Sequence, residues 1–155
     1  MLAMFSTFLF SDVKSEWLNM SEEEQLVIIN SYYKGNYYNV GYTLAAIAWI
    51  ESRGGRWRIG TSSSDYGIYH VNIYWYLKEL GVKDNIYNRS KYATRLLIRP
   101  DIEEEFVINK IVKLHNSNKS WRTVWYKYNG SMEYVKKIAD RINYIKMLRS
   151  KGLFR

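Results

Sequence analysis

Residues 40–52, VGYTLAAIAWIES, are an apolar run with helical spacing that ends in a carboxylate and is stopped by Gly54-Gly55. Leu44, Ile47 and Ala48 precede Glu51 by seven, four and three positions, so all four share one helical face. Glu51 therefore closes a buried stripe and does not belong to a charged face. Burial and the negative end of the helix dipole both disfavour an ionised carboxylate, so the pattern predicts a raised pKa. A carboxylic acid still protonated near neutrality can give its proton to a leaving-group oxygen, as glycosidic cleavage requires. The structural alternative is a glutamate that turns to solvent at a frayed helix end or pairs with Arg53 or Arg56.

The rest of the chain also reads as helix. Ser21 followed by Glu22, Glu23 and Glu24 is an N-cap with an acidic first turn, opening a helix to about Tyr33, so these glutamates mark a helix start and not a functional patch. GNYYN makes a turn before the apolar helix, and residues 56–66 are loop or a short β-hairpin. Further helices are expected from near Asn72 to Gly81, then over 88–98, 101–117 after Pro100, 120–127 and 131–150. No repeat, low-complexity tract or interdomain linker interrupts them. At 155 residues the length suits one compact domain with a substantial core.

Composition narrows the function classes. Fifteen Tyr and six Trp suit a groove that stacks on flat ligands with polar edges, although core packing accounts for most of them. There is no cysteine, which excludes disulfides and thiolate metal sites. His70 and His115 are far apart and lack ligand spacing, so no metal and no cofactor are expected. The formal net charge of +8 favours an anionic partner: nucleic acid, an anionic membrane surface or an acidic wall polymer. The basic residues are dispersed and not interleaved with base-stacking aromatics, which argues against nucleic acid. No stretch reaches the roughly 18 apolar residues of a membrane span. The N-terminal MLAMFSTFLF is uncharged like the apolar region of an export signal, but lacks a basic start and a clear small-residue cleavage site. Residues 1–20 are thus either the remnant of a signal or a segment docked on a domain formed by 21–155.

Beyond Glu51 the stretch SSSDYGIYHVN carries a family likeness. It resembles the STDYGILQIN type of segment in animal lysozymes and the YDIGLMQIN segment of soluble lytic transglycosylase domains, especially the small pilus- and secretion-associated members. In that superfamily a catalytic Glu, commonly followed by Ser, ends a helix, as Glu51-Ser52 do here. The Gly-Leu-Met-Gln element is matched by Gly67-Ile68-Tyr69-His70, followed by Val71 and Asn72. The Ala-Tyr-Asn-(Ala/Gly)-Gly element is matched by Lys127-Tyr128-Asn129-Gly130, before a terminal helix carrying Tyr134-Val135. The three ordered elements span about Leu44 to Val135.

The resemblance implies a mainly α, lysozyme-like (α+β) single domain with a small β or irregular loop beside an active-site cleft. It implies Glu51 as acid and then base, with Ser52, Ser64, Gly67, Tyr69, His70, Asn72, Tyr128 and Asn129 as substrate-binding positions. The family's Met and Gln are here Tyr69 and His70, both expected to line the groove. An imidazole can bond a sugar yet titrates near neutrality, tying binding to pH; the alternative is a structural histidine. Asp65 falls where animal lysozymes carry a second carboxylate, which in a retaining hydrolase stabilises or attacks the anomeric carbon. In a transglycosylase the substrate's own 6-hydroxyl attacks, and Asp65 is otherwise a turn or cap residue. Tyr128 is expected near the catalytic carboxyl, the alternative being a core tyrosine before an Asn-Gly turn.

The expected activity is lytic cleavage of the β-1,4 bond between N-acetylmuramic acid and N-acetylglucosamine, with a 1,6-anhydromuramoyl product. The rivals are a hydrolytic lysozyme and a catalytically silent wall-binding module. The expected partner is the peptidoglycan glycan strand, with a secretion, pilus or phage assembly as a further one. The expected place is the periplasm or cell envelope, or the wall after phage delivery.

Overall fold

The computed structural model describes residues 12–60 and 64–154. A helical segment over 12–18 (α1) leads into α2 (Glu22–Asn36) and α3 (Gly41–Ser52). A hairpin follows, β1 (Asp65–Tyr66) and β2 (Val71–Asn72), then α4 (Ile73–Glu79), α5 (Ile86–Ile98), α6 (Pro100–Asn118), α7 (Trp121–Asn129) and α8 (Met132–Ser150). The chain is a mainly α-helical single domain with one small antiparallel hairpin, in which Asp65 faces Asn72 and Tyr66 faces Val71. The expected loop or hairpin at 56–66 contributes the bridge between Ile59 and Tyr66, but its main partner strand lies further on, at 71–72.

Local chemistry explains the helix ends. The Ser21 hydroxyl accepts the Glu24 amide at 3.2 Å and the Glu24 carboxylate accepts the Ser21 amide at 3.1 Å, a reciprocal capping box that opens α2. Asn72 opens α4 by accepting the Trp75 amide at 3.4 Å, and Ser131 opens α8 by accepting that of Tyr134, also at 3.4 Å.

α3 organises the interior. Leu44, Ile47 and Ala48 are fully buried and pack with Val71, Leu77, Leu96, Ile111 and Ile138. Ala45 and Trp49 turn to a second cluster with Trp17, Ile28, Ile145 and Phe154. The helix is apolar all round because a core lies on each side of it, which fixes its axis and where its last turn emerges. Its end is also pinned. Arg53 adopts a left-handed conformation as C-cap (φ 53°), and Gly54 follows with φ 66°. A Cβ on Gly54 would collide with the Glu24 backbone carbonyl, so only glycine lets this loop lie against α2. Arg53 and Arg56 both pair with Glu24, at 3.4 and 3.5 Å, and so bind the loop to the α2 cap.

Val13, Trp17 and Met20 are buried in the second cluster, with the Trp17 and Trp49 rings 5.1 Å apart. Residues 12–20 thus pack on the core; residues 1–11, which hold the whole of the signal-like stretch, lie outside the described residues. No helix among the described residues is long and apolar enough to cross a membrane.

Candidate functional site

Glu51 sits in the last turn of α3, half-buried, where the two cores end. Its Oε1 accepts a 2.7 Å hydrogen bond from the Tyr134 hydroxyl, and its Oε2 lies 3.6 Å from His70 Nδ1. The alternative pairing with Arg53 or Arg56 is not formed, because Glu24 takes both guanidiniums. Tyr128 stacks on Tyr134, with centroids 6.3 Å apart and planes 19° from parallel. Burial, followed by the negative charge of Glu51, pushes both phenols well above the ordinary tyrosine value, so both remain O–H groups across the neutral range. Lys110 reaches over the Tyr128 ring, 4.4 Å from its centroid. Burial lowers this ammonium's pKa, while the carboxylates of Glu51 and Glu79 oppose the shift.

The turn that carries His70 is built on a buried carboxylate. Glu103 of α6 is 0% exposed and accepts the amides of Ile68 at 2.7 Å and Tyr69 at 2.5 Å. Burial pushes Glu103 up to about 8 although both amides favour its ionised form. Gly67 (φ 91°) makes the close approach feasible, since a Cβ there would overlap the Glu103 carboxylate. Gly67 is therefore required by the turn itself.

The resemblance-derived positions separate into two groups. Glu51, His70 and Tyr128 come together, and the charge of Asp65 reaches both His70 and Tyr128. Asp65 Oδ1 accepts the Asn72 side-chain amide at 2.8 Å, which ties β1 to the cap of α4. Tyr69 does not line the groove. Its ring is 1% exposed, and its hydroxyl is bonded to Ser31 Oγ at 2.8 Å and to Glu104 Oε1 at 3.0 Å, while Glu104 pairs with Lys34 at 2.7 Å. Tyr69 turns inward because α2 and α6 supply partners for its hydroxyl. Ser52 is also withdrawn, fully buried, donating to the Ala48 carbonyl and accepting the Gly55 amide at 2.8 Å. The Ser64 carbonyl accepts the Ile73 amide at 2.8 Å, and Asn129 is exposed at the end of α7. His115 stacks on Trp121 at 4.2 Å, and no group of His, Asp and Glu that could hold a metal ion occurs among the described residues.

Glu103 and Lys110 of the site were not singled out by the sequence, and Tyr134 was named only as part of the terminal helix, with no role. Tyr134 lies in the first turn of α8, behind its Ser131 cap, where a polar aromatic gives no periodic signal. Glu103 belongs to an acidic run at the start of α6 that reads as a solvated helix N-terminus. Glu103, Val107 and Lys110 stand at i, i+4 and i+7, one face of α6, and that spacing is the trace which a helical projection would find.

Beyond Lys110 a groove of about 990 Å³ opens between α4, α5, α6 and α7, walled by Trp75, Tyr76, Phe106, Lys113 and Lys127. On the loop after α3, Trp57 is 54% exposed, with the Arg53 and Arg56 guanidiniums 5.9 and 5.5 Å from its ring centroid. The site thus joins a carboxyl group, two phenols and an imidazole, and Lys110 links it to the aromatic, basic groove whose wall it shares. That set can move one proton and hold a polar, flat-faced, anionic ligand. No family model, curated protein sequence or solved structure matches the chain.

Proposed function

We propose that the chain is a lysozyme-like lytic transglycosylase that cleaves the β-1,4 bond between N-acetylmuramic acid and N-acetylglucosamine in peptidoglycan. The observation that carries this reading is Glu51, held at the end of a buried helix by the Tyr134 hydroxyl at 2.7 Å; Lys110, over the Tyr128 ring behind it, also lines an aromatic, basic groove. Protonated Glu51 gives its proton to the glycosidic oxygen as the C1–O bond breaks. The carboxylate left behind then takes the proton of the muramoyl 6-hydroxyl as that oxygen attacks C1, closing the 1,6-anhydro ring. Tyr134 orients the carboxylate through both steps, and Lys110 balances the charge that Glu51 acquires. The aromatic walls suit the flat faces of the sugars, and the lysines suit the lactyl and peptide carboxylates of the wall.

Asp65 supports the transglycosylase form over the hydrolytic one. Its carboxylate is engaged by the Asn72 amide at 2.8 Å, a loop-holding role that needs no attack on carbon. The reading places the protein at the cell envelope or on a wall-penetrating assembly, with glycan strands as its partner. Substitution Glu51→Gln tests it: the amide keeps size and polarity but has no acidic proton, so turnover on purified sacculi falls by several orders of magnitude with the fold intact. Substantial residual turnover removes Glu51 from the mechanism.

A further inference from the structure

His70 occupies a left-handed conformation, φ 47°, that a residue with a Cβ adopts at some cost. It is held there by the Glu103 clamp on the two preceding amides and by its own ring. Nε2 lies 2.7 Å from the Trp57 carbonyl oxygen and Nδ1 lies 3.6 Å from Glu51 Oε2. A carbonyl only accepts, so Nε2 must carry a proton. That leaves Nδ1 a bare lone pair in the neutral ring and an N–H in the imidazolium. A bare Nδ1 facing an ionised Oε2 would set two lone pairs against each other. One proton between the two atoms resolves the conflict, either on Oε2 as a carboxylic acid or on Nδ1 as an imidazolium. The other carboxylate oxygen, Oε1, is taken by the Tyr134 hydroxyl.

We propose that His70 is a positioning residue that shares one proton with Glu51 and keeps the acid loaded at the start of each turnover. The inference rests on the reading of Glu51 as acid/base. In the acid step the shared proton leaves from Oε2 to the glycosidic oxygen. In the base step Glu51 regains one from the 6-hydroxyl, so the pair ends the cycle with the proton count at which it began. The pair titrates as a unit, and loss of its shared proton sets the alkaline limit of activity.

The titratable groups facing the ring are consistent with this. Glu51 approaches from α3, Asp65 from β1 and Glu103 from α6, and Glu51 is itself faced by Lys110, Tyr128 and Tyr134. Burial alone would lower the imidazole's pKa. The hydrogen bonds to Glu51 and Trp57, with the charges of Glu51 and Asp65, outweigh burial and raise it.

Two measurements test the proposal. The first follows the His70 ring by NMR titration in the wild type and in Glu51→Gln, and needs no turnover. Loss of the carboxylate removes the hydrogen bond and the charge by which Glu51 raises the imidazole against burial, so the His70 midpoint falls. The second compares pH profiles of kcat/KM for the wild type and His70→Gln. The amide can still donate to Glu51 but stores no proton, so the alkaline limb moves to lower pH. A His70 midpoint indifferent to Glu51→Gln overturns the proposal, and so does an alkaline limb unmoved by His70→Gln. A coupled titration in a protein that cleaves no glycan keeps the shared proton and overturns the cleavage reading alone.

Discussion

The Tyr134 hydroxyl and the Glu51 carboxylate, 83 positions apart in the chain, meet at 2.7 Å and join the first turn of α8 to the last turn of α3. Both groups project from helices that pack on each other, so the hydrogen bond is positioned by two helices and not by a loop. Tyr128 backs this pair by stacking on Tyr134.

The first prediction compares the two phenols. Tyr134→Phe removes a donor to a carboxylate, a contact worth about 1.5–3 kcal/mol, which corresponds to a fall of roughly 10–100-fold in kcat. Tyr128→Phe keeps the ring that packs on Tyr134 and under Lys110, so its effect is smaller. Steady-state rates on purified peptidoglycan, with thermal melts of both variants, check the order. A Tyr128→Phe defect larger than that of Tyr134→Phe reverses the assignment.

Glu103 predicts a stability effect and its pH dependence. Glu103→Gln keeps one acceptor for two amides, so one buried N–H loses its partner at a cost of about 1–3 kcal/mol. The folded chain holds the Glu103 proton up to about 8, while an unfolded glutamate releases it near 4.5. Between these values the folded state binds more protons than the unfolded state, so this group makes stability fall as pH rises through the window. Urea unfolding midpoints measured from pH 4.5 to 8 should decline less in Glu103→Gln than in the wild type. Parallel curves would remove the titration from Glu103.

Tyr69→Phe separates core from groove at the methionine-like position. The change strips Ser31 and Glu104 of a buried hydroxyl partner, so unfolding free energy drops by about 1–3 kcal/mol while KM for the glycan stays within about twofold. A raised KM with unchanged stability would return Tyr69 to the ligand side.

Much of this was legible from residue order alone, and the exceptions share a cause. Ser21, Asn72, Gly54 and the apolar run before Glu51 act through local backbone chemistry, so the helices begin and end close to where caps and periodicity put them. The partner of Glu51 was harder to read. Tyr128 matched a motif and Tyr134 did not, yet Tyr134 makes the hydrogen bond, because the crossing of α3 and α8 and not the motif decides which hydroxyl arrives. Tyr69 illustrates the converse: a position expected in the groove by resemblance turns inward, because Ser31 and Glu104, distant in sequence, satisfy its hydroxyl. Arg53 and Arg56 were natural partners for Glu51 by proximity, and were diverted by a capping glutamate on another helix.

Asp65 predicts the form of the reaction. If its role is to hold β1 to the α4 cap through Asn72, Asp65→Asn lowers the rate by roughly 10–100-fold through loop geometry and weaker support of positive charge at C1. A loss as severe as that of Glu51→Gln would make Asp65 the nucleophile or principal charge stabiliser of a retaining hydrolase.

Mass spectrometry of soluble muropeptides released from purified sacculi tests the central claim most directly. The account predicts 1,6-anhydromuramoyl ends from the wild-type protein and none from Glu51→Gln at equal protein and time. Reducing ends in place of anhydro ends would contradict the transglycosylase chemistry, and a wild-type digest without released muropeptides would contradict glycan cleavage altogether.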